Sequence, residues 1–158
     1  MKFLIRSHEG ALALAREQPQ HYDLIFITSP HMPFPVEGCD RILELARSGL
    51  LLQFDDVDGD LEGLVAPQRA HVAAALDWAR GKDNFLIACR AGISRSSATA
   101  VVIRASQSTA VEALDVLTPG MHYPNPLIIR HGEEILGKHG LSDAVREWKR
   151  MRGFIGLT

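Results

Sequence analysis

The chain is poor in cysteine. Only Cys39 and Cys89 occur in 158 residues, too few for a disulfide framework. Reduced thiols and a cytoplasmic location are the expectation. Long apolar runs are missing as well: none approaches the ~20 residues that span a bilayer. The opening "MKFLIRSHEG" has three apolar residues before Arg6, too short a run for a secretory signal. Excess charge of one sign is also lacking. Lys and Arg number 17 against 19 Asp and Glu, a net charge of −2, so neither nucleic acid nor membrane is an expected partner. The seven histidines show no metal-ligand spacing. Internal repeats and low-complexity linkers are absent. What remains is an ordinary globular composition, 46% hydrophobic and 23% charged, that suits one domain over residues 1–158.

Apolar stretches alternate with helical patterns. "KFLI", "DLIFITS", "LLLQF" and "NFLIA" read as strands. The second is almost continuously apolar, as a strand covered on both faces should be. "HEGALALARE" follows Ser7, a possible N-cap. "PHMPFPVEG" carries three prolines and reads as a loop. "CDRILELARSG" reads as a helix closed by Gly49, and Pro67 as the first residue of the next helix. After the fourth strand only helical patterns remain. One begins near Ser96, one at a Thr109–Glu112 capping box, one at Asn125–Pro126, and the last at Ser142. The alternation predicts an α/β fold. A mostly parallel central sheet of four to five strands is flanked by helices, and the C-terminal half is helical.

The chemistry concentrates between the fourth strand and the helix after it, in Cys89-Arg90-Ala91-Gly92-Ile93-Ser94-Arg95-Ser96. A strand-to-helix turn at the carboxyl edge of a parallel sheet is where such folds bind ligands. The N-terminus of the following helix favours an anion there. Successive backbone N–H groups from Arg90 through Ala91, Gly92, Ile93 and Ser94 to Arg95 can ring a phosphate. Arg95 can grip two of its oxygens with a planar fork. The same field favours a thiolate on Cys89, so nucleophile and phosphate would share one cup. The Ser96 hydroxyl is placed to bond the sulfur and help it leave later. Arg90 either attracts acidic substrates or simply faces solvent.

"CRAGISRS" resembles the Cys-x5-Arg-Ser/Thr loop of the cysteine-dependent protein tyrosine phosphatases. It is most similar to the dual-specificity branch, and its style is that of a bacterial member. The resemblance extends over about residues 50 to 137, through "SATAVVI" and "YPNPLII". It implies a protein tyrosine phosphatase-like fold and catalysis through a phosphocysteine without metal or other cofactor. It also implies a phosphorylated protein or small phosphoester as substrate. One position departs from the family: Ala88 stands where a histidine normally precedes the cysteine. Two other readings stay open. One is a phosphate-binding module with weak or no turnover, and the other is a rhodanese-like sulfur transferase.

A leaving alcohol or phenol needs a proton. The resemblance places the acid just after a strand, about thirty residues before the cysteine, within "LLLQFDDVDGD". Asp56, 33 positions before Cys89, fits best. Asp55, Asp58 and Asp60 are the alternatives. A calcium loop is excluded, because the glycine falls at the fourth place and the twelfth is Pro67.

Overall fold

Every residue of "DLIFIT" is buried, and the sheet order explains why. The computed structural model describes residues 1–153. Its four strands are β1 (Lys2–Ser7), β2 (Asp23–Thr28), β3 (Ser48–Gln53) and β4 (Asn84–Cys89), ordered β1-β4-β2-β3. All neighbours pair in parallel. β2 and β4 are therefore interior strands, covered above and below, which is what a continuous apolar run requires.

Alternate residues feed two layers. Ile25 and Ile27 of β2, with Phe85, Ile87 and Cys89 of β4, face a core shared with α3 (Arg69–Ala79), α4 (Arg95–Ala105), α5 (Pro126–Leu136) and α6 (Leu141–Trp148). Leu24, Phe26, Leu86 and Ala88 face the other side, under α1 (His8–Glu17) and the short α2 (Ile42–Leu45). Burying each of the larger side chains stabilises the fold by about 1.5–3 kcal/mol. In α4 only Arg104 escapes burial. Gly132 lets α5 approach it, since a Cβ there would collide with the Val102 methyls. Trp148 is buried in the same layer and Trp78 packs at its margin.

Local signals set several boundaries as expected. Ser7 Oγ accepts from Gly10 N at 3.1 Å and opens α1. Asn125 caps α5 with Pro126 in its first turn. Elsewhere long-range contacts prevail. The helix expected to close at Gly49 is a 3-10 turn, Cys39–Arg41, followed by the four residues of α2. Gly49 lies inside β3, opposite Leu24. The cause is Asp23. Its carboxylate accepts from Arg47 at 2.6 Å and Ser48 at 2.7 Å, so the strand begins there. The Thr109–Glu112 capping box forms, at 3.2 and 3.1 Å, but opens only a 3-10 turn, Glu112–Val116. Leu117 then turns extended, and Pro119 follows. α3 starts at Arg69, with Gln68 as cap in place of Pro67. α6 starts after Gly140, because Ser142 is occupied in donating to Glu133. The domain expectation runs to Thr158, and residues 154–158 lie outside the described residues. Among the described residues, no helix is long and apolar enough to cross a membrane.

Candidate functional site

Because β4 sits between β1 and β2, Cys89 ends at the middle of the sheet's carboxyl edge. The chain then loops through residues 90–94 and enters α4 at Arg95. Gly92 adopts φ +73°, and a Cβ there would lie 2.6 Å from the Arg6 carbonyl carbon and the Ser7 nitrogen. Only glycine lets the loop rest on the end of β1. The amides of Ala91, Gly92, Ile93 and Ser94 have no hydrogen-bond partner among the described residues. The Cys89 sulfur is buried and lies 3.1 Å from Ser96 Oγ.

Arg95 is 6% exposed. One terminal nitrogen donates to the carbonyl oxygen of Phe54 at 2.8 Å and to Ser29 Oγ at 3.2 Å. Its Nε is buried without a partner. An arginine half-satisfied by protein in this way has one side of its fork left for an anion, and burial makes an unmet donor costly.

The four aspartates separate cleanly. Asp55 is buried and its carboxylate accepts from Val65 N at 2.7 Å, closing its own loop. Asp56, Asp58 and Asp60 are all exposed, and Lys149 lies in electrostatic reach of both Asp58 and Asp56. Asp56 touches the cysteine loop: its Oδ1 accepts from Ser94 Oγ at 2.8 Å and from Asn125 Nδ2 at 2.9 Å. Cys89, Arg95, Ser96 and Asp56 thus gather at one edge. Arg90 is exposed and lies toward α1, beside Glu9, Arg16 and Glu37.

Ala88 is buried on the α1 side, with Arg6 and Phe26 as its strand neighbours. An imidazole does occur close by. His8, 1% exposed, stacks on Phe26 with ring centroids 4.2 Å apart. Its Nε2–H donates to Ile27 O at 2.8 Å, and its Nδ1 is buried and unpartnered. Burial holds its pKa below the ordinary histidine value. The charges of Arg95 and Arg90 add to that, against the opposing pull of the Ile27 bond. In the sequence each histidine has no more than a surface or capping role, whereas His8 is buried; Ser29 carries no signal there, and Asn125 reads only as a cap. Each acts across more than 15 positions of chain, where local pattern carries no signal.

No protein-family model matches the sequence, and comparison with curated proteins finds no match. Solved structures do match. A mouse putative dual specificity phosphatase complexed with zinc tungstate is similar, with TM-score 0.56 and 17% identity over 90% of this chain and 86% of that one. Human DUSP28 is similar with TM-score 0.55 and 16% identity, covering 92% and 94% of the two chains. Tk-PTP in its active form matches with TM-score 0.53 and 18% identity, over 89% and 90%. At such identities the likeness is one of fold: the chain has the α/β fold of the dual-specificity phosphatases.

Proposed function

We propose that this chain is a phosphoester hydrolase of the protein tyrosine/dual-specificity phosphatase type. The observation that carries the reading is Arg95, pinned on one side to Phe54 and Ser29 while its buried Nε lacks a partner. That donor and the unpartnered amides of the loop form a set that matches a phosphoryl group.

The Cys89 thiolate attacks phosphorus, and the bond to the leaving oxygen breaks as the P–S bond forms. The N–H groups from Arg90 to Arg95 and the Arg95 fork stabilise the equatorial oxygens. Asp56 donates its proton to the leaving oxygen. Water then attacks the phosphocysteine, Asp56 takes back a proton, and sulfur leaves as thiolate, assisted by the Ser96 hydroxyl. The substrate is a phosphorylated protein or a small phosphoester, and no step of this chemistry calls for a cofactor.

The test is turnover of a chromogenic aryl phosphate by wild type, Cys89→Ser and Asp56→Asn across pH. The reading requires turnover that Cys89→Ser abolishes, with a bell-shaped profile whose basic limb is lost in Asp56→Asn. Phosphate binding without turnover would identify a binding module instead. Thiosulfate-to-cyanide transfer without phosphatase activity would identify a sulfur carrier.

A further inference from the structure

Asn125 is 3% exposed and joins three parts of the molecule. Its Oδ1 accepts from Leu127 N at 3.0 Å and Ile128 N at 3.1 Å, capping α5. Its backbone N donates to the Ser94 carbonyl oxygen at 3.1 Å, within the cysteine loop. Its Nδ2 donates to Asp56 Oδ1 at 2.9 Å and to Val57 O at 3.0 Å. The orientation of the amide is fixed by chemistry. Two backbone donors face one side and two oxygen acceptors the other, so the group cannot be turned over.

A cap alone needs only the oxygen. Serine or aspartate would cap α5 equally well. What asparagine adds is the NH2 group, and both its hydrogens are spent on residues 56 and 57. Ser94 Oγ reaches the same Asp56 oxygen. With both donors on Oδ1, Oδ2 is the oxygen left to carry a transferable proton. Asp56 itself is on an exposed loop, where Ser94 and the charge of Lys149 are its other partners. Asn125, by contrast, is anchored at the start of a packed helix.

We infer that Asn125 is a positioning residue: its NH2 group holds the Asp56 carboxyl in register with the cysteine loop so that Oδ2 meets the leaving oxygen. The inference rests on the reading of Asp56 as the proton donor. Proton donation matters most for poor leaving groups. A cap, or a general prop of the fold, would affect all substrates alike.

The experiment measures kcat/KM for aryl phosphates whose phenols run from strongly to weakly acidic. The proteins are wild type, Asp56→Asn, Asn125→Ser, Asn125→Asp and the Asp56→Asn/Asn125→Ser double variant, each with its melting temperature. Asp56→Asn should lose about 10²–10⁴-fold on phenyl phosphate and little on the most acidic phenol. Both Asn125 variants should show the same slope, reaching about 10²-fold on phenyl phosphate, the scale of an ångström of misplacement. Their melting temperatures should stay close to wild type, since the cap survives. Adding Asn125→Ser to Asp56→Asn should cost nothing further. Equal losses on every substrate, or additive losses in the double variant, would overturn the inference while leaving phosphatase activity in place. If Asp56→Asn itself shows no slope, the proton comes from elsewhere and the tether reading falls with it.

Discussion

The guanidinium of Arg95 donates to the carbonyl oxygen of Phe54 across 2.8 Å. That bond ties the residue that would grip a phosphate to the strand end that leads into Asp55 and Asp56. The start of α4 and the loop carrying Asp55 and Asp56 are therefore joined directly, although 41 positions separate the bonded residues.

Lysine cannot replace this arginine. A single ammonium has no fork with which to hold Phe54 O and Ser29 Oγ while presenting donors to two phosphate oxygens. Arg95→Lys should lower kcat/KM for an aryl phosphate by about 10²–10³-fold, the scale of losing one oxyanion donor. A loss under about tenfold would mean the fork is not used as described.

In the proposed mechanism the Cys89–Ser96 contact of 3.1 Å serves the second chemical step. Ser96→Ala should slow release of phosphate from sulfur more than the initial attack. Rapid-quench kinetics should show a burst of phenol followed by slow turnover, with kcat reduced by about 10²-fold, the scale of one lost transition-state hydrogen bond. Absence of a burst, with kcat and kcat/KM falling together, would move the effect to the first step.

Gly92 sits where any side chain meets the backbone of Arg6 and Ser7. Gly92→Ala combines a strained positive φ with overpacking, together about 2–6 kcal/mol. Thermal unfolding should show a lower melting temperature, and the melting temperature should cease to rise with added phosphate. An unchanged response to phosphate would show that the loop can bind without resting on β1.

Acid should destabilise the fold above the range where carboxylates titrate. Burial lowers the pKa of His8, His71 and His122, helped by Arg95 and Arg90 at His8, His131 at His71 and Arg6 at His122. The unfolded chain then takes up protons that the folded chain refuses. Stability is fully present above the unfolded value of about 6.5 and falls as pH drops toward the lowered folded values. Melting temperatures from pH 7.5 to about 5 should decline, and His8→Gln should flatten the slope. A rise on acidification would contradict the buried neutral histidines.

The sequence was most informative where a signal and its partner lie within a few residues. Ser7 before α1, Asn125–Pro126 before α5 and the Cys89–Ser96 octet are all of this kind. The choice of Asp56 over Asp55, Asp58 and Asp60 rested on spacing. What sets Asp56 apart in the structure is its contact with Ser94 and Asn125, 38 and 69 positions away. Gly49 misled because glycine stops helices and also tolerates strands, and the decision came from Asp23 holding Arg47 and Ser48. His8 was silent for a similar reason. Nothing in "SHEG" indicates that its ring will stack on Phe26 beside the strand that carries Ala88.

The most direct measurement is to quench a reaction of wild-type protein with ³²P-labelled aryl phosphate and locate the label on the chain. The account predicts phosphate on the Cys89 sulfur, formed and discharged within a turnover and missing in Cys89→Ser. Phenol release that continues undiminished in Cys89→Ser, with no labelled protein at any time, would contradict it.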